Sequence, residues 1–194
     1  YLIIDELNRG NVPKIFGEII TLLEKDKRGV ELRLPQSKDA LAIPANVYII
    51  ATMNTSDRSI KMMDAALKRR FSFVECMPRY DLLQAEVDGL GLSTGAILRS
   101  LNEALIRCQG RDKQIGHAYF MKNGQSLTAL ADLKEVYELD IIPLVQEYCF
   151  DDYGLLAEIV GQGFVDAARM EIRTEPFQGP DDAFAAEMIS RFQG

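Results

Sequence analysis

Two adjacent carboxylates, Asp5 and Glu6, end the apolar run YLII at the start of the sequence. An acidic pair beside an apolar interior is costly unless something uses the charge. A second apolar run, VYIIA at 47–51, also gives way to polar residues, among them Thr52, Asn54 and Asp57. If both runs are strands of one parallel sheet, their polar tips share the carboxyl edge, where open α/β sheets bind ligands. The chemistry that uses an acidic pair there is nucleotide hydrolysis. The Asp holds Mg²⁺, usually through water, while the Glu takes a proton from the attacking water. An amide at the next strand tip, Asn54, orients that water or touches the terminal phosphate. The cations of the KRR run, Lys68, Arg69 and Arg70, neutralise charge on the transferring phosphoryl group.

Each feature also has a plainer reading. Asp5 and Glu6 are a solvated pair or cap the next helix. The NTSD run at 54–57 is a side-chain-bonded turn that starts a helix. Lys68, Arg69 and Arg70 complement the dipole at a helix end. The order of all three along one α/β framework favours the chemistry.

That framework is read from periodicity. Residues 1–4 form a short apolar run of the buried parallel-strand kind. A single helix is predicted over 11–28, capped by Asn11, with Pro13 in its first turn, basic residues in its last and Gly29 beyond. Alternation across Val30, Leu32 and Leu34, a turn at 35–39 and a return through Leu41 and Ile43 predict a hairpin. Residues 46–54 are a second buried strand, 59–71 short helical turns and 72–76 a third strand. This succession is α/β with a parallel sheet. From about residue 78 the segments at 94–108, 127–150 and 151–161 are amphipathic helices with no convincing strand. The predicted domains are therefore 1–77, the α/β part; 78–173, a small helical domain; and 174–194, a turn-rich tail with one short helix.

The bulk composition excludes several classes. The chain is 47% apolar and 26% charged, without tryptophan, and no window approaches the roughly 18 unbroken apolar residues of a membrane span. No signal-peptide pattern opens it, so a cytoplasmic location is expected. A net charge of −7 is not the basic footprint of a self-sufficient nucleic-acid-binding domain. Cys76, Cys108 and Cys149, with His117 as the one histidine, offer no zinc spacing. They read as buried free thiols in a reducing compartment. The chain starts in mid-strand without Met, and it reads as a piece of a longer protein.

Three stretches, YLIIDELNRGNVPKIFGEIITLLEKDKRG, IIATMNTSDRSIKMMDAALKRRFSF and IGHAYFM, resemble the McrB family of AAA+ proteins. These are GTP-hydrolysing subunits of McrBC modification-dependent restriction systems. The resemblance covers about residues 1–165 and is most specific over 53–73. It implies a partial AAA+ P-loop NTPase core, its parallel sheet lacking the Walker A strand, followed by a helical lid. By the same resemblance LIIDE is similar to Walker B, with Asp5 on the Mg²⁺ side and Glu6 as general base. Asn54 is similar to the sensor-1 residue that orients water, and Asp57 falls beside it at the nucleotide. Asp64, Arg69 and Arg70 would face a neighbouring protomer's nucleotide. His117 is either a hydrogen-bonded structural histidine or a sensor-2-like contact from the lid.

The resemblance further implies GTP or ATP as substrate, a hexameric ring, an McrC-like nuclease partner and cleavage of DNA near methylated cytosines. The NTSD run loosely resembles the guanine-reading N-K-x-D of GTPases, but its sensor-1 position assigns it to phosphate and water positioning. No G-x-x-x-x-G-K-[ST] occurs in the sequence. The chain alone is therefore expected neither to bind nucleotide well nor to hydrolyse it, and apolar strand surface is expected to be exposed at 2–4 or 48–51. Two other readings remain open: an ATP-driven chaperone of the MoxR kind, and a non-catalytic ring-assembly module.

Overall fold

A computed structural model of the chain describes residues 1–54 and 65–193. The chain divides into two compact units, Tyr1–Glu75 and Cys76–Gly194.

In the first unit β1 (Leu2–Ile4) leads through a 3-10 turn, Leu7–Arg9, to α1 (Val12–Phe16). Asn11 caps α1, its side chain accepting from the Lys14 N–H at 3.2 Å, and Pro13 sits in the first turn, where its missing N–H has no partner to lose. The single helix expected to reach residue 28 stops at Gly17. Its φ of 50° and ψ of −130° suit a residue without Cβ. Beyond it the chain winds as 3-10 turns, Gly17–Leu23 and Lys25–Lys27. Tighter winding changes which residues share a face, and Leu22 and Leu23 are buried there; Ile15, in α1, is exposed.

The expected hairpin is present as β2 (Leu32–Arg33) paired antiparallel with β3 (Ala40–Leu41). β4 (Ile49–Ala51) then returns to lie parallel beside β1, and α2 (Ala65–Lys68) follows. The parallel pair bears out the α/β reading, but its strands are not buried. Ile3 is 71% and Ile50 52% exposed. Among the described residues β1 and β4 pair only with each other. Only Ile4 and Ala51 join the small core around Leu7, Val12 and Leu67. Apolar strand surface is therefore exposed, as expected. The third strand expected at 72–76 is absent: Phe73 and Val74 are exposed in irregular chain, and without a ladder partner an apolar run has no strand to join.

The second unit is built on α3 (Thr94–Gln109), capped by Ser93, with Ile97, Leu98, Leu101 and Leu105 buried along one face. Gly95 lets its first turn touch the 80–83 turn: a Cβ there would stand 2.6 Å from the Leu83 carbonyl oxygen. A tight hairpin, β5 (Met121–Lys122) with β6 (Gln125–Ser126), precedes α4 (Leu130–Val136). A π-helical turn, Tyr137–Ile141, joins α4 to α5 (Ile142–Cys149). Pro143 accounts for that turn. It has no N–H for the residue-139 carbonyl and its ring crowds that turn, so the winding widens and the Ile142 N–H reaches back to the Tyr137 carbonyl. α6 (Tyr153–Val160) is capped by Asp152.

Beyond α6 lies a second tight hairpin, β7 (Val165–Asp166) with β8 (Glu171–Ile172). These two ladders were not expected, because two-residue strands are too short for alternation to register. The tail also differs from expectation. It contains α7 (Glu175–Gln178) and α8 (Asp181–Phe192), and Phe177, Phe184 and Met188 belong to the core of this unit. Tyr137, Phe164, Phe177 and Phe184 form one aromatic cluster of tilted pairs and one edge-on pair, Tyr137 with Phe184, with ring centroids 5.1 to 6.1 Å apart. Of the cysteines only Cys149 is buried; Cys76 and Cys108 are exposed, and all three are free thiols. No helix among the described residues is long and apolar enough to cross a membrane.

Candidate active site

β1 and β4 run in parallel register, Leu2 beside Ile49, Ile3 beside Ile50 and Ile4 beside Ala51. Their carboxyl ends therefore lie together, and one residue ties them beyond the ladder. The Thr52 N–H donates to the Ile4 carbonyl at 3.0 Å, and the Thr52 carbonyl accepts from the Leu7 N–H at 2.9 Å. Its hydroxyl accepts from the Glu6 N–H at 3.0 Å and donates to Asp5 Oδ1. Asn8 adds a second tie, its Nδ2 donating to the Asn54 carbonyl at 2.9 Å.

Between these ties Glu6 adopts the left-handed conformation, φ 50° and ψ 45°. For a non-glycine residue this costs on the order of 1–3 kcal/mol and persists only where surrounding contacts hold it. Here they are the hydrogen bonds of Thr52 to residues 4 through 7. The turn brings both carboxylates out at the strand edge, where Asp5 and Glu6 are exposed to water. This resolves the acidic pair of the sequence: the charges lie at a solvated turn that leaves the strand, not in its interior.

The two carboxylates are differently engaged. Asp5 Oδ1 is taken by Thr52, and Oδ2 has no hydrogen-bond partner among the described residues. An exposed carboxylate with one available oxygen fits Mg²⁺, which keeps several waters and takes one or two protein carboxylates beside substrate phosphates. No cluster of three or more His, Cys, Asp or Glu occurs among the described residues, so nothing there resembles an all-protein cage for another metal. Glu6 Oε2 accepts from Arg9 Nε at 2.7 Å, with both side chains at least half exposed. Such a pair is worth about 0–1 kcal/mol, so it does not lock Glu6 away from a substrate.

The basic run splits. Lys68 and Arg69 are exposed, whereas the Arg70 side chain is only 6% exposed and its Nη2 lies 2.7 Å from Glu24 Oε1. Arg70, expected together with Arg69 to face a neighbouring protomer's nucleotide, is instead engaged by Glu24 within its own unit. Its N–H bonds the Leu67 carbonyl at 2.9 Å, which tightens the chain after α2 while Phe71 packs against the small core. This turn leaves residue 70 facing in and residue 69 facing out. Asp57 and Asp64 lie outside the described residues.

His117 belongs to the second unit, at the start of the 3-10 turn His117–Phe120. Its Nδ1 accepts from the Arg79 N–H at 3.3 Å. The Arg79 guanidinium forks onto both oxygens of Asp81, at 3.3 and 2.5 Å, and holds that carboxyl below the usual aspartate range. Nearby, the fully buried Asn102 brackets residue 115, donating to its carbonyl at 3.0 Å and accepting from its N–H at 2.7 Å. The features that sequence reasoning does not reach are the contacts of Asn8 and Arg9 and the joining role of Thr52. Polar residues three or four beyond Asp5, opposite a threonine at the second strand tip, were the available sign.

Comparison with known proteins finds two matching segments. Residues 1–71 match the AAA domain (dynein-related subfamily), and residues 93–157 match the McrB alpha-helical lid domain. The chain is 38% identical over 169 residues to the type IV methyl-directed restriction enzyme EcoKMcrB subunit of Escherichia coli K12, covering 77% of this chain and 37% of that protein. It is also 35% identical over 86 residues to the type II restriction enzyme BsuMI component YdiS of Bacillus subtilis 168, covering 37% of this chain and 25% of that protein. The chain thus spans about a quarter to just over a third of the length of these relatives.

Proposed function

The chain belongs to the McrB-like AAA+ proteins, with a core segment followed by an McrB-type lid, and we propose that it carries the hydrolytic carboxylates of a nucleoside-triphosphate-driven motor subunit of a DNA restriction system. The observation that supports this reading best is the pair Asp5–Glu6 held at the carboxyl ends of two parallel strands, with the Asn54 backbone tied to the same edge. Phosphates bound at that edge meet Asp5, whose Oδ2 is available for Mg²⁺ or its water. Mg²⁺, when bound, neutralises charge on the phosphates. Glu6 leaves Arg9 at small cost and takes a proton from the attacking water, which the Asn54 amide orients. Asp57, three residues beyond Asn54 in the sequence, is assigned to nucleotide binding as part of this proposal.

Arg69 presents the exposed guanidinium to a neighbouring protomer's nucleotide, with Asp64 on the same stretch, in a ring that we take to be hexameric. Arg70 supports the unit from within. His117 serves as the acceptor that fixes the Arg79 backbone in the lid. Both relatives are named as restriction-enzyme components, and the Escherichia coli one as methyl-directed, so restriction of modified DNA, a McrC-like nuclease partner and a cytoplasmic location are part of this proposal. With a net charge of −7, DNA contact falls mainly to other parts of the assembly.

The test is nucleotide turnover by the intact protein that contains this chain, comparing GTP with ATP, with and without the nuclease subunit. GTP-selective turnover that rises with the partner supports the motor reading. ATP-selective turnover indifferent to the partner favours a MoxR-like chaperone, and no turnover under any condition favours an assembly module.

A further inference from the structure

We propose that Thr52 is a positioning residue for hydrolysis: its hydroxyl orients Asp5 toward the cation and holds Glu6 in its left-handed turn. The inference rests on the reading of Asp5 and Glu6 given above. A hydroxyl has one hydrogen to donate and lone pairs to accept. At Thr52 the hydrogen goes to Asp5 Oδ1 and a lone pair receives the Glu6 N–H. One oxygen atom thus touches both members of the acidic pair, through the carboxylate of the first and the backbone of the second.

Two consequences follow from that geometry. Engagement of Oδ1 fixes the carboxylate plane and leaves Oδ2 as the oxygen that meets a cation. Capture of the Glu6 N–H holds the turn on which the aim of the Glu6 side chain depends. The backbone of Thr52 already binds residues 4 and 7, so the hydroxyl completes an unbroken set of ties to residues 4 through 7. Groups that orient a cation ligand in this way typically alter affinity or activity by about 10- to 100-fold when removed.

The test compares Thr52→Val, which keeps the shape and loses the hydroxyl, with Thr52→Ser, which keeps the hydroxyl, in the intact protein. Steady-state kinetics are read alongside Mn²⁺ titration by electron paramagnetic resonance with a non-hydrolysable nucleotide analogue. Thr52→Val is expected to lower kcat and weaken Mn²⁺ binding by about 10- to 100-fold, with KM for the nucleotide within about threefold. Thr52→Ser is expected to restore both. A valine variant with unchanged kcat and Mn²⁺ affinity overturns the proposal, as does a serine variant as impaired as valine. Should the valine variant not fold, the serine variant decides: near-normal values support the hydroxyl's role and impaired ones overturn it. If the unmodified protein turns over no nucleotide, the functional reading has failed, and the Mn²⁺ titration still decides whether Thr52 orients Asp5.

Discussion

The two units of this chain solve different problems. The second encloses a continuous core in which Leu98, Leu101, Phe120, Tyr137, Phe164 and Phe184 are fully buried. The first, among its described residues, gathers a small core around Leu7, Val12 and Leu67 and leaves Ile3 and Ile50 largely exposed. Yet the first unit carries the acidic pair, the left-handed Glu6 and the hydroxyl that joins them. Burial therefore marks the unit whose side chains sustain folding, and the solvated strand edge, with its hydrogen-bonded acidic pair, marks the unit to which the proposed chemistry is assigned. Substitutions should separate accordingly: core changes in the second unit act on stability, and edge changes in the first act on turnover.

The largest effect on stability is expected at the aromatic cluster. Phe184→Ala removes a ring that packs against Tyr137, Phe164 and Phe177, and losses of about 3–5 kcal/mol are typical of such truncations. Chemical denaturation of the intact protein checks this. A loss under 1 kcal/mol would break the comparison, because the second unit would then not depend on its core.

The two arginines sharpen it further. Arg70→Ala strands Glu24, which is part-buried, and a loss of about 1–3 kcal/mol is expected, below the full value for a deeply buried pair. Arg69→Ala, at an exposed site, is expected to leave stability within about 0.5 kcal/mol while lowering turnover of the intact protein if the proposed ring forms. Thermal melts and ring-state kinetics of both variants separate the roles. The reverse pattern would assign the intersubunit contact to Arg70.

The smallest effect concerns protonation in the second unit. Burial raises the Cys149 thiol from an ordinary 9.0 to about 11, and burial also raises the Tyr137 hydroxyl, which donates to the Val160 carbonyl at 2.6 Å. Both groups fold in their neutral, protonated forms. The Cys149 contribution is fully present below about 9 and is lost as pH rises toward about 11, whereas that of Tyr137 begins to be lost only above its ordinary 10.0. Stability of the second unit should therefore fall across that window while staying level between pH 6 and 8 as far as these groups go. At pH 8 a maleimide should label Cys76 and Cys108, which are exposed, well before Cys149. Equal labelling rates would show that the core opens easily.

How much of this was legible in the sequence differs between the units in the same way. Long amphipathic segments such as α3 and α6 announce themselves, because a helix of two or more turns repeats its apolar spacing enough to be read. The parallel strands and their polar tips were also legible, since each apolar run ends abruptly on residues that avoid burial. The break at Gly17 was not, because Ile15, Phe16, Ile19 and Ile20 keep helical spacing on both sides of it. The strand expected at 72–76 failed for another reason: alternation describes a strand's faces but cannot supply a partner. The inward turn of Arg70 was equally hidden, for its ion pair joins residues 46 apart in the chain. Thr52 was visible as a polar tip, but its contact with both carboxylates exists only once β1 and β4 are in register.

The most direct measurement is turnover by Glu6→Gln in the intact protein, read together with equilibrium nucleotide binding. The glutamine keeps shape and polarity but cannot accept the proton, so turnover should fall by about 10²–10⁴ while nucleotide affinity and folding stability hold. Turnover close to normal, with binding and stability intact, would contradict the assignment of the acidic edge as the hydrolytic site.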